Sequence, residues 1–124
     1  MQPNKRTVVV LGASDSPERY SFKAMQRLLE KGFQAIPVNP KLRELQGVPA
    51  AARIADVQGP VDTLTIYLSP QRSTPLADEI VALSPRRVLL NPGAENPDLE
   101  RKLDEAGLPW MHACTLVLLS TDRF

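Results

Sequence analysis

The chain has 124 residues, enough for a single core but not two, and its 43% hydrophobic and 23% charged residues are ordinary for a globular protein. A formal net charge of +1 supplies no basic field for gripping nucleic acid, and one cysteine, Cys114, excludes a disulfide scaffold.

The polar opening, residues 1–7, leads into an apolar run at 8–11 that is far too short for a signal peptide. Val8-Val9-Val10-Leu11 is β-branched and uniformly apolar, which suits a strand covered on both faces, and Gly12 closes it. Over 21–31 the period changes: Phe22, Met25, Leu28 and Leu29 share one helical face, opposite Lys23, Gln26, Arg27 and Glu30. Residues 35–38 read as a second strand, ended by Asn39-Pro40, in which Pro37 lacks a ladder donor. The stretch 42–60 is loop-rich, with one short strand near Gly47-Val48 and a turn at Ala55-Asp56. A third strand is expected over 63–68, then a helix over 72–83 carrying Leu76, Ile80 and Leu83 inward. A fourth strand, 87–90, stops at Asn91-Pro92-Gly93. Residues 97–106 form a helix that Asn96 can cap, with Pro97 in its first turn. A short fifth strand at Trp110-Met111 and a final apolar segment, 115–119, complete the chain; that segment is too short to span a bilayer.

Strands alternating with helices imply an α/β architecture: a Rossmann-like open parallel sheet of about five strands, with helices on both faces and right-handed crossovers. The whole chain, residues 1–124, reads as one domain, expected to be soluble and cytoplasmic with no membrane or nucleic-acid partner. Such sheets bind ligands at the carboxyl ends of their strands, which singles out the loops after Leu11, Val38, Leu68 and Leu90.

In the first loop Gly12 permits a tight turn, and the helix that follows offers amides to an anion. Ser14, Ser16 and Ser21 add hydroxyls and Arg19 a charge; the alternative is a capping turn with surface serines. The dinucleotide pattern G-x-G-x-x-G is incomplete, since Ser14 and Pro17 stand at its second and third glycines, and this argues against a standard NAD grip. No phosphate-loop pattern G-x-x-x-x-G-K-[ST] is present. After the second strand, where NAD-binding proteins usually place an acidic residue, the chain reads Asn39-Pro40-Lys41, with Arg43 beyond. Cations there favour a ligand phosphorylated near its adenosine ribose, either coenzyme A or NADP; ordinary solvated charges explain them equally. In the third loop Ser69 faces the ligand, Pro70 narrows the site and Arg72 pairs with phosphate, unless the segment is a plain helix start. In the fourth, Gly93 lets a flexible ligand arm pass close to the backbone, unless the segment is simply a turn before a capped helix.

In this order, Gly12-Ala13-Ser14, Val38-Asn39-Pro40, Ser69-Pro70 and Asn91-Pro92-Gly93 give a chain that resembles the stand-alone CoA-binding protein family. These proteins are similar to the N-terminal CoA-binding domain of the succinyl-CoA synthetase alpha subunit. The resemblance runs over about 8–119. It implies a five-stranded Rossmann-like sheet with CoA lying across the strand ends. It carries the family's first-loop motif onto Gly12, Ala13, Ser14 and Arg19, its Asn-Pro motif onto Asn39, Pro40 and Lys41, and its third-strand motif onto Ser69, Pro70 and Arg72. The fourth loop and residues 113–124 depart from many relatives, so contacts to the pantetheine arm are less defined than those to the nucleotide.

Catalytic groups are sparse. His112 and Cys114 would share a face of an extended segment as a thiol–imidazole pair, although a buried structural cysteine is the stronger reading. Asp15 and Glu18 are expected to face solvent, and Glu95 and Asp98 to complement a helix dipole. Tyr20 or Trp110 could stack on adenine or serve the core. The sequence thus points to a module that binds coenzyme A or an acyl-CoA without catalysing a reaction. Its rivals are a minimal NADP-dependent oxidoreductase and a scaffold with a vacant fold, whose apolar tail (Leu116 to Leu119, and Phe124) would meet a partner protein or a second copy.

Overall fold

In the computed structural model, which describes residues 6–124, five parallel strands lie in the order β2-β1-β5-β6-β7. The segment 1–5, most of the stretch read as lacking a signal peptide, lies outside the described residues. β1 (Thr7–Leu11) pairs with β2 (Gln34–Val38) on one side and β5 (Thr63–Ile66) on the other. β6 (Arg87–Leu90) and the edge strand β7 (Trp110–His112) follow. From β1 the chain moves outward to β2, then returns across β1 to build β5, β6 and β7. The strand order therefore reverses between β1 and β5.

The alternating pleat of β1 splits the core. Val8 and Val10 pack against Met25 and Leu28 of α1 (Tyr20–Glu30) and Leu119 of α5 (Thr115–Ser120). Val9 and Leu11 face the other layer, with Ile80 of α3 (Ala77–Leu83) and Leu99 and Leu103 of α4 (Pro97–Glu105). Val8, Val9 and Val10 are each 0% exposed, so burial on both faces explains why this strand shows no polar alternation. Helices on both faces of a parallel sheet match the expected Rossmann-like architecture.

Pro37 costs the sheet no strand–strand bond. It lies on edge strand β2, and its carbonyl points outward to accept from the Ala51 amide at 2.9 Å. Residues of a parallel strand direct N–H and C=O to one side, so the missing donor also falls on that outer edge.

Three expected elements differ. The single strand expected in the loop-rich stretch is an antiparallel hairpin, β3 (Glu44–Leu45) with β4 (Val48–Pro49), followed by a 3-10 turn at Ile54–Asp56. The third strand stops at Ile66, short of Leu68. The helix expected over 72–83 is broken into α2 (Pro70–Ser73), a 3-10 turn (Thr74–Leu76) and α3. Pro75 sits in that turn, and a proline inside a helix has no amide to donate and clashes with the preceding turn. The final apolar segment is helix α5, too short for its periodicity to separate helix from strand. The expected apolar tail is only partly exposed: Leu119 is buried and the Phe124 ring meets Phe33 edge-on at 5.1 Å, while Val117 stays 55% exposed.

Candidate functional site

A cavity of about 710 Å³ opens where the strand order reverses, above the carboxyl ends of β1, β2 and β5. Gly12, Ala13, Ser14 and Arg19 line it from the first loop, Asn39, Pro40 and Lys41 from the second, and Arg72 from the third. Ser16, Ser69, Pro70 and Gly93 do not line it. The Ser16 amide donates to the Ser14 hydroxyl at 3.1 Å, which ties the first loop to itself. Ser69 caps α2 through its carbonyl, which accepts from the Arg72 and Ser73 amides at 3.0 Å each. The Gly93 amide donates to Glu95 Oε1 at 2.9 Å. The turn geometry that made these four conspicuous is spent on the loops themselves.

Gly12 is the one residue type that fits its place. Its φ is +85°, and a Cβ there would lie 2.9 Å from Leu68 Cδ2 and 3.3 Å from the Tyr67 carbonyl carbon. Its amide, however, is not presented to the cavity. Both Gly12 and Ala13 donate to the Val38 carbonyl, at 3.2 and 3.3 Å, knitting the end of β1 to the end of β2. The next backbone donors along the chain are those at the start of α1. The first intrahelical donor is the Lys23 amide, bonded to the Arg19 carbonyl, so the amides of Tyr20, Ser21 and Phe22 precede any intrahelical partner. Tyr20 and Ser21 line the cavity, and the first turn of α1 holds no acidic residue.

Asn39 is spent on geometry as well. Its Nδ2 donates to the Ala13 carbonyl at 2.7 Å and its Oδ1 accepts from the Lys41 amide at 2.8 Å. The side chain thus positions both loops. Lys41 is exposed at the cavity rim and, with Arg19 and Arg72, forms no salt bridge among the described residues. Arg43 does not line the cavity.

Several lining residues carry no sequence motif. Arg53 and Ile54 enter because Ala51 bridges in parallel to Val38, which brings the following turn beside the end of β2. Leu76 and Glu79 stand beside them, because that turn packs against α3 and Arg53 pairs with Glu79 at 3.5 Å. Tyr20 and Trp110 separate cleanly. Tyr20 lines the cavity, whereas Trp110 lies on the far edge strand with its Nε1 donating to Asp104 at 2.8 Å.

Beneath the cavity lies a buried polar cluster. Asn91 Nδ2 donates to Thr65 Oγ1 at 2.7 Å and to the Ile66 carbonyl at 2.9 Å, while its Oδ1 accepts from the Thr115 amide at 2.9 Å. Thr65 and Thr115 share a hydroxyl hydrogen bond of 2.8 Å. Tyr67 lines the cavity above them, its hydroxyl oxygen buried and without an aligned partner. Burial pushes the Tyr67 phenol up to about 12, and the nearby Thr115 and Thr65 hydroxyls offset only part of that.

The weaker reading, a thiol–imidazole pair of His112 and Cys114, gains no hydrogen bond among the described residues, and Cys114 is half-buried where the stronger reading had a buried structural cysteine. His112 Nε2 lies 2.7 Å from Glu100 Oε2, which also accepts from the Asn96 amide at 2.9 Å, and Cys114 precedes α5, beyond the end of β7. Asn96 caps α4 by accepting from the Leu99 amide at 3.2 Å, and its Nδ2 reaches Ser73 and Thr74 hydroxyls at 2.8 Å each. Asp15 and Glu18 are exposed and outside the cavity. No group of three or more His, Cys, Asp or Glu that could hold a metal ion is found among the described residues.

Residues 6–120 match the family described as the CoA binding domain. The chain belongs to that family. This CoA-binding domain is similar to a crystal structure of an uncharacterized protein with a TM-score of 0.90, 37% identity, and coverage of 98% of this chain and 99% of the other. It is 28% identical over 107 residues to the uncharacterized protein YneT of Bacillus subtilis, covering 86% of this chain and 78% of YneT. It is also 34% identical over 70 residues to the acetate–CoA ligase (ADP-forming) II subunit alpha of Pyrococcus furiosus, a match covering 56% of this chain but 15% of that subunit. Among the described residues no helix is long and apolar enough to cross a membrane.

Proposed function

We propose that this domain binds coenzyme A or an acyl-CoA in the cavity between the ends of β1, β2 and β5, as a non-catalytic binding or regulatory module acting as one domain. The observation that carries the reading is the convergence of Arg19, Lys41, Arg53 and Arg72 on one cavity at the point of strand reversal. In this reading the α1 N-terminus and Arg19 take the pyrophosphate. Lys41 meets the ribose 3′-phosphate, and Arg72 reaches a phosphate from the third loop. Gly12, Ala13, Ser14, Asn39 and Pro40 shape the floor and rim instead of gripping the ligand with their own donors. Ser16, Ser69, Pro70 and Gly93 hold the loops in place. A single cysteine fits a reducing, cytoplasmic setting.

Thermal unfolding with CoA, acetyl-CoA, NADP, NAD and ATP at equal concentration tests the reading. A ligand at a hundred times its dissociation constant stabilises by about 2.7 kcal/mol, a shift of several degrees in a domain of this size. CoA and acetyl-CoA are expected to shift the midpoint most. A larger shift with NADP would move the assignment to an oxidoreductase cofactor, and silence with all five would leave the fold without this function.

A further inference from the structure

Glu79 is the one carboxylate on a cavity wall otherwise supplied with cations. Its Oε1 is buried with no hydrogen-bond partner, and Arg53 approaches that oxygen only at 3.5 Å. A carboxylate is purely an acceptor, and Arg53 balances the charge of Glu79 without giving Oε1 an aligned hydrogen bond, which leaves acceptor capacity unused. It does not suit a phosphate, whose charge it would repel. The cavity lining also has an apolar part, to which Ile54, Leu68 and Leu76 contribute. Such a wall with one acceptor at its edge fits a flat aromatic ring that carries a hydrogen-bond donor.

The placement decides which part of the ligand arrives there. Ala51 bridges to Val38, so Arg53 and Ile54 stand beside the strand end from which Asn39 and Lys41 emerge. Glu79 faces that same region from α3, against which the Ile54–Asp56 turn packs. This is the end of the cavity where Lys41 would meet the ribose phosphate.

Building on the CoA reading above, we propose that Glu79, steadied by Arg53, accepts a hydrogen bond from the exocyclic amine of the adenine ring and sets the specificity for that base. Of the donors on CoA, this amine is the one borne on the edge of a flat apolar ring.

The test compares the affinities of the full chain for CoA and for a CoA analogue whose purine carries hydrogen in place of the amine. The wild type is expected to prefer CoA on the order of tenfold, as fits a charged acceptor losing its donor. Glu79→Ala should bind the two ligands within about twofold of each other. Glu79→Gln, whose amide oxygen still accepts, should keep a preference between those limits. Ligand-free thermal unfolding of each variant confirms that the fold is intact. A wild type that binds both ligands equally, or a Glu79→Ala variant that keeps the full preference, overturns the assignment while leaving CoA binding intact. A wild type that binds neither ligand overturns the CoA reading itself.

Discussion

The side-chain amide of Asn39 donates to the Ala13 carbonyl at 2.7 Å, so the residue that ends β2 also fixes the loop that ends β1. The same side chain accepts from the Lys41 amide at 2.8 Å. Replacing Asn39 with Ala leaves the part-buried Ala13 carbonyl and the exposed Lys41 amide without this partner. The expected outcome is a loss of about 1–2 kcal/mol in unfolding free energy together with weaker CoA binding. Denaturant unfolding and titration calorimetry on the same variant measure both. Unchanged stability would show that the two loops hold each other without this bridge.

Gly12 and Gly93 form a matched pair for separating backbone strain from contact. Both have positive φ, +85° and +92°, but a Cβ at Gly12 would press on Leu68 at 2.9 Å while one at Gly93 meets nothing within 4 Å. Gly93→Ala should cost about 1 kcal/mol through strain alone. Gly12→Ala should cost more by about 1–2 kcal/mol, because a packed neighbour must also shift. It should weaken CoA binding too, since Leu68 lines the cavity. Equal losses in the two variants would mean that Leu68 moves aside freely.

Lys41 tests the charge assignment. If its ammonium meets the ribose 3′-phosphate, Lys41→Ala should weaken CoA by roughly tenfold and leave 3′-dephospho-CoA nearly unaffected. Fluorescence or calorimetric titration of both ligands gives the ratio. Parallel losses would place the lysine elsewhere on the ligand.

Tyr67 makes alkaline stability a readout of the cavity floor. Its native phenol keeps the proton to about 12, against 10.0 for an ordinary tyrosine, chiefly because burial disfavours the phenolate. Between those values the native state binds more protons than the unfolded one, so stability falls as pH rises through that window. The contribution present below it is up to about 3 kcal/mol. Tyr67→Phe should show a shallower decline in unfolding free energy over the same range. An identical decline in both proteins would show that Tyr67 is not the group responsible.

The sheet was legible because its signals are local. Uniform apolar runs at 8–11 and 88–90 mark strands covered on both faces, and Gly12, Asn39-Pro40 and Asn91-Pro92 stop the chain where each loop begins. The Asn96 cap and the Met25–Leu28 face were legible for the same reason, since a cap and a helical stripe each lie within a few residues. The broken helix at Pro75 carried its own signal, a proline in mid-pattern that the apolar spacing of Leu76, Ile80 and Leu83 masked.

The five strands of the main sheet, helices α1 and α4, the loops at the strand ends and the cations in those loops follow from the amino-acid sequence by itself, because burial periodicity and turn chemistry are properties of neighbouring residues. Only the tertiary structure decided that the Gly12 and Ala13 amides are spent on Val38, that His112 meets Glu100 and not Cys114, and that Arg53 and Glu79 close on one cavity. Each of these depends on which strand ends lie side by side and in what register. That is set by the packing of elements far apart in the chain, which no short window of sequence records.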